Sequence, residues 1–169
     1  MAYQRPKMPP AKQVFSDWRM LLAFGFGSGL ARVMPGTFGT LAAVPFYLLM
    51  QSLPLWAYAA VIVVTWLVGN YLCSYAADKL GVHDHGGIVW DEFVGFWLTM
   101  FAAPTGWLWL LIGFVLFRFF DMLKPWPISW LDRHVKGGSG IMIDDIAAGL
   151  MAFLCLQGLH YAHVSSGFF

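Results

Sequence analysis

Three short stretches of this chain set acidic side chains directly against apolar ones. HDHGGIVWDEFVG at 83–95 carries Asp84, Asp91 and Glu92, FRFFDMLKPWPI at 117–128 carries Asp121, and GGSGIMIDDIAAG at 137–149 carries Asp144 and Asp145. Carboxylates gathered at a partly desolvated surface repel one another, and protonation or a bound cation relieves the cost. Oxygen-only ligation suits Mg2+, which is usually held by one or two carboxylates, several waters and a substrate phosphate. Asp91, Glu92, Asp121, Asp144 and Asp145 are therefore candidate metal ligands and catalytic carboxylates. Adjacent helical residues diverge by about 100°, so one member of each acidic pair is expected at the metal and the other at water or a basic residue. A second reading needs no metal: a carboxylate opening a helix is favoured by the macrodipole by ~0.3–1 kcal/mol. That reading covers Asp91, Glu92, Asp144 and Asp145 at expected helix starts, but not Asp121 at an expected helix end, where Arg118 or Lys124 is available to pair with it.

Basic and glycine-rich residues add a phosphate to this picture. Arg118 and Lys124 can neutralise charge on a transferring phosphoryl group while a metal-activated water attacks phosphorus in line. GSGLARVMPGTFGT at 27–40 places glycines ahead of Thr37, which is expected to cap a helix whose free N–H groups would cradle a phosphate, with Arg32 nearby. Close helix packing is the competing use of such glycines. His83 and His85 flank Asp84 without the further partners a zinc site wants, leaving a supporting role around metal or substrate, or an exposed turn. Asp132 reads as a solvated or capping residue, and Cys73 and Cys155, both inside apolar runs, as buried free thiols.

The elements that must position these groups are membrane helices. Of 169 residues, 59% are apolar and 11% charged, and the net charge of +1 offers no basic stripe for nucleic acid. Residues 1–17 lack an apolar core and read as a flexible cytoplasmic arm, followed by one membrane-embedded domain over 18–169. MLLAFGFGSGL at 20–30 is too short to span and is expected at the interface or as a re-entrant segment. Charge is absent from Val33 to Ala77, enough for two crossings with a turn at QSLP, 51–54. The break APTG at 103–106 predicts a hairpin of two short helices, Ile88–Ala103 and Thr105–Asp121, and the run from Ile146 to Phe169 crosses once more. The expectation is an all-α polytopic bundle of four to five crossings, the count of five placing the N-terminus inside. All ten basic residues then fall on one face, which the positive-inside rule makes cytoplasmic.

Together with GSGLARVMPGTFGTLAAVP at 27–45, the three acidic stretches resemble the phosphatidylglycerophosphatase A family of bacterial inner-membrane lipid phosphatases, over roughly Trp18 to Gly158. The resemblance implies Mg2+-dependent removal of the terminal phosphate from phosphatidylglycerophosphate, giving phosphatidylglycerol. It maps the family's blocks onto Gly36, Thr37, Asp84, Asp91, Glu92, Asp121, Lys124, Asp144 and Asp145, with Gly36, Thr37, Arg118 and Lys124 expected at the phosphate and His83 and Asp84 in support. No C-x5-R or Asp-x-Asp stretch supplies another phosphatase chemistry, so water is the expected nucleophile, with Asp91 or Asp144 as covalent alternatives. The rival class is an ion or proton carrier using interfacial carboxylates.

Overall fold

The computed structural model describes residues 7–82, 85–135 and 137–166, and contains no strand among them. Eight α-helices follow in order: α1 (Ala11–Phe15), α2 (Trp18–Ala23), α3 (Pro35–Met50), α4 (Leu55–Leu80), α5 (Trp90–Thr99), α6 (Trp107–Leu123), α7 (Ile128–His134) and α8 (Gly138–Ser165), with a 3-10 segment at Gly25–Leu30. Proline opens α3, and Gly81 in the left-handed region (φ 66°) closes α4.

Side-chain contacts give the helix directions. Trp90 Nε1 donates to the Thr65 carbonyl (3.1 Å) and Tyr58 Oη to the Trp97 carbonyl (2.8 Å), so α4 and α5 are antiparallel. Gly36 backs Glu92, and Trp97 Nε1 donates to the Ala43 carbonyl (3.1 Å), so α3 and α5 are parallel. Gly95 faces Phe117 and Met100 faces Gly113 of α6, an antiparallel pair, whereas Gly95 meets Gly149 and Phe101, just past α5, meets Phe153 of α8, a parallel one. Helices α3, α5 and α8 therefore run one way and α4 and α6 the other. The starts of α3, α5 and α8 share one end of the bundle with the finish of α6.

Two helices, α4 and α8, are long and apolar enough to cross a membrane, fewer than the four to five crossings expected. Helices α3, α5 and α6 have 16, 10 and 17 residues, or about 24, 15 and 26 Å. The shortfall is largest in α5, expected over Ile88–Ala103. It starts at Trp90 because Val89, with a φ of −136°, lies outside helical geometry and serves as the N-cap, its N–H donated to the Ala23 carbonyl (2.9 Å). At the far end Ala102 takes a left-handed φ of 52° before Pro104. Eight of its ten residues are buried, since α3, α4, α6 and α8 all pack on it. A helix sheathed in protein need not match the bilayer thickness.

The outer surface is apolar. Val63, Val64 and Leu67 of α4, Leu108 and Leu111 of α6, and Leu150 and Leu154 of α8 all face outward, and only 17% of the most apolar stretch of α4 is buried.

Part of the arm expected to be flexible forms α1, with Val14 wholly buried. Asp17 caps α2 and accepts from Tyr75 Oη and Lys79 Nζ, both at 2.6 Å, tethering this segment to α4. The expected interfacial stretch becomes α2 and the 3-10 segment, packed on the bundle through Met20, Ala23 and Phe24.

Candidate active site

The site begins with a spacing shared by two helices. Asp91 precedes Gly95 by one turn of α5, and Asp145 precedes Gly149 by one turn of α8. A Cβ on Gly149 would strike the Gly95 carbonyl, and one on Gly95 would stand 2.8 Å from the Asp145 carbonyl. Thr99 Oγ1 lies 3.0 Å from the Gly95 carbonyl and 3.3 Å from the Gly149 carbonyl, across the same crossing. With the backbones this close, one oxygen each from Asp91, Glu92 and Asp145 lies within 4.8 Å of the others.

Asp91 and Asp145 are buried, and Asp91 Oδ1, Glu92 Oε2 and Asp145 Oδ2 have no hydrogen-bond partner. Buried carboxylate oxygens are normally hydrogen-bonded, and three converging carboxyl groups that each keep an orphan oxygen leave protonation or a cation to relieve the cost. Oxygen donors at this spacing fit a hard divalent ion.

A basic layer flanks the cluster. Arg118 Nη1 pairs with Asp121 Oδ2 at 2.6 Å and lies 3.8 Å from Glu92 Oε1. Gly36 presses on both, since a Cβ there would collide with Glu92 Oε1 and stand 3.1 Å from the Arg118 guanidinium. Lys124, the left-handed C-cap of α6 (φ 41°), points its ammonium between α7 and α8, where it pairs with Asp132 Oδ1 (2.9 Å) and Asp144 Oδ2. Burial pulls the Lys124 pKa down, but Asp144 and Asp132 outweigh it and hold the ammonium above the ordinary lysine value. A cavity of about 190 Å³ opens over these groups, lined by Asp91, Glu92, Asp121, Lys124, Asp132, Asp144 and Asp145.

The sequence expectations divide accordingly. Asp91, Glu92 and Asp145 meet, and Asp121, Asp144 and Lys124 share their cavity. Both members of the first acidic pair face the cluster, rather than one, because the longer Glu92 side chain reaches the same point. The second pair splits as helix geometry demands, Asp145 to the cluster and Asp144 to Lys124.

Thr37 is not a helix cap: α3 starts two residues earlier, its N-cap is Met34, and the Thr37 N–H is donated to the Met34 carbonyl (2.9 Å). Neither Gly36 nor Thr37 lines the cavity, nor does Arg118; Gly36 backs Glu92 and Arg118. Asp144 and Asp145 do not open a helix, since α8 begins at Gly138 inside the stretch read as flexible. They stand about 9–11 Å along the axis, beyond the first turn where the macrodipole acts. His83 and Asp84 lie outside the described residues. His85 is buried, and its Nδ1 accepts the Gly87 N–H (3.0 Å), which leaves the hydrogen on Nε2 facing the Lys7 carbonyl at 3.3 Å. Cys73 is buried as expected, whereas Cys155 is exposed. Gly95, Thr99 and Gly149 escaped the sequence reading, although the acid-x3-glycine spacing on both helices was its visible signal.

The profile of the family described as "PgpA: Phosphatidylglycerophosphatase A" matches residues 21–160. The chain belongs to this family. It is 57% identical over 133 residues to phosphatidylglycerophosphatase A of Escherichia coli, covering 78% of this chain and 77% of that one. The phosphatidylglycerophosphatase A of Haemophilus influenzae is 45% identical over 143 residues, 83% of this chain and 88% of its own. A putative phosphatidylinositol-3-phosphatase of Bacteroides thetaiotaomicron is 36% identical over 145 residues, 81% and 90% of the two chains. No solved structure matches. Membership makes the chain a phosphoric monoester hydrolase rather than an ion carrier.

Proposed function

We propose that the chain hydrolyses phosphatidylglycerophosphate to phosphatidylglycerol and phosphate, with Mg2+, at the cytoplasmic face of the bacterial inner membrane. The observation carrying this reading is the convergence of three carboxyl groups, each with an unpartnered oxygen, in a cavity that Lys124 also lines. Asp91, Glu92 and Asp145 would hold Mg2+, which when bound supplies positive charge to phosphoryl oxygens and acidifies a water. Lys124, oriented by Asp144, meets the phosphate. Arg118 offsets the charge of Glu92 and Asp121 without entering the cavity, so it acts on the cluster and not on the substrate. Phosphate release by the purified protein in detergent, from phosphatidylglycerophosphate against phosphatidic acid and phosphatidylinositol 3-phosphate, tests the head group. Faster turnover of either competitor would sink the assignment, as would magnesium-independent hydrolysis. Acid quenching during turnover of lipid labelled in its phosphate should trap no phosphate on Asp91 or Asp144.

The alternating helix directions favour five passes, with α5 sheathed at the centre. They put the uncharged turns at 51–54 and 103–106 at the end away from the cavity, and the described basic residues toward the cavity end. Cysteines placed at Ser52 and Thr105 should react from outside the cell and one at Ser139 only from inside. Reaction of position 139 from outside would invert the topology.

A further inference from the structure

Lys124 holds two carboxylates of unequal standing. Asp144 is buried, and while its Oδ2 faces the ammonium its Oδ1 accepts the Asp145 N–H at 3.1 Å. Asp132 sits on the seven-residue α7 with its side chain 43% exposed, and among the described residues its side chain bonds to Lys124 at 2.9 Å. Both acids line the cavity. Among the described residues, two carboxylates around one ammonium give this group of three a net charge of −1, which weakens its hold on a phosphate. An ammonium has three protons, of which Asp132 and Asp144 take two, so an entering phosphate finds one and gains a second only by displacing a carboxylate. Asp144 cannot withdraw without leaving a buried charge unpaired. Asp132 can turn to water.

We propose that Asp132 is a displaceable counter-ion of Lys124, neutralising the ammonium in the resting site and yielding it to the phosphate of the entering substrate. The proposal rests on the reading of the cavity as a phosphate site. Asp132 thereby sets how tightly phosphate is held without touching the reacting atoms, and it keeps the product phosphate from lingering on Lys124. The exposed pair is weak, so its displacement costs about two- to fivefold in affinity.

The test is inorganic phosphate binding by calorimetry to the purified full-length protein in detergent with Mg2+, at low and high salt, alongside turnover of the phosphorylated lipid. Asp132→Asn should bind phosphate about two- to fivefold tighter than the parent at low salt and lower KM by the same factor, without raising kcat. The gain should shrink as salt screens the pair. Asp132→Glu should restore the parent affinity, and in a Lys124→Ala background Asp132→Asn should change nothing. Weaker or unchanged phosphate binding in Asp132→Asn would show that the residue merely holds α7 in place. Absence of phosphate binding to the parent would equally overturn the proposal. Phosphate binding that follows these expectations, in a protein that turns over none of the lipids, would refute the assigned reaction and leave the counter-ion role standing.

Discussion

The two acidic pairs look alike in sequence and differ in setting. Asp91 and Glu92 occupy the first turn of α5, where the helix dipole helps carry their charge. Asp144 and Asp145 stand two turns into α8, where it does not. The first pair has a helical reason to be acidic apart from any function. The second has none, and Asp145 is buried beside the first pair with an oxygen unpartnered. A carboxylate with no local support at its position is the stronger indicator of a ligand, and Asp145 is that residue.

The sharpest test of this contrast is Asp145→Asn. Because removal of groups that merely orient metal ligands costs about 10–100-fold, loss of a ligand itself should cost more than a hundredfold in magnesium-dependent turnover. The metal-free protein should be no less stable, since one of three repelling charges is gone, and the stabilisation given by Mg2+ should shrink. Melts with and without Mg2+ beside a phosphate-release assay decide it. An active variant with undiminished magnesium stabilisation would remove Asp145 from the cluster.

The crossing that joins the pairs can be broken directly. Gly149→Ala forces a methyl group against the Gly95 carbonyl, and overpacking of this kind should cost about 1–3 kcal/mol. Turnover should fall at least tenfold as α5 and α8 move apart, because catalytic geometry is sensitive to displacements of about 1 Å. A destabilised variant with full activity would mean that the cluster tolerates a wider crossing.

Asp144→Asn separates the members of the second pair. It should raise KM roughly tenfold through a misplaced Lys124, about 1.4 kcal/mol, while leaving stabilisation by Mg2+ intact. Loss of that stabilisation would make Asp144 a ligand and erase the distinction from Asp145. Arg118→Lys should have the smallest effect, a few-fold loss of turnover, since a point charge cannot serve Glu92 and Asp121 as a planar fork does.

Physical chemistry explains which features could be read early. Charged groups avoid apolar runs, so the exclusion of charge from 33–77 and 93–117 was enough to gather the carboxylates at one end. The start of α8 was hidden because GGSG resembles a flexible linker. There Gly138 is dictated by contact: a Cβ would strike Ser74 and the Asn70 carbonyl of α4. Local propensity carries no record of a neighbour that arrives from more than sixty residues away. Thr37 was misassigned for a related reason, as Pro35 and Met34 open α3 earlier than a capping threonine would.

The sequence by itself determined that the chain is helical and apolar, that its carboxylates and basic residues share one end, and which family it belongs to, because composition, charge spacing and motif are properties of the linear chain. Only the tertiary structure decided that Asp91, Glu92 and Asp145 converge while Asp144 turns to Lys124, and that α5 is a short, sheathed helix. Those outcomes depend on how closely two backbones approach at Gly95 and Gly149 and on which helices pack around α5, and both are relations between residues remote in sequence.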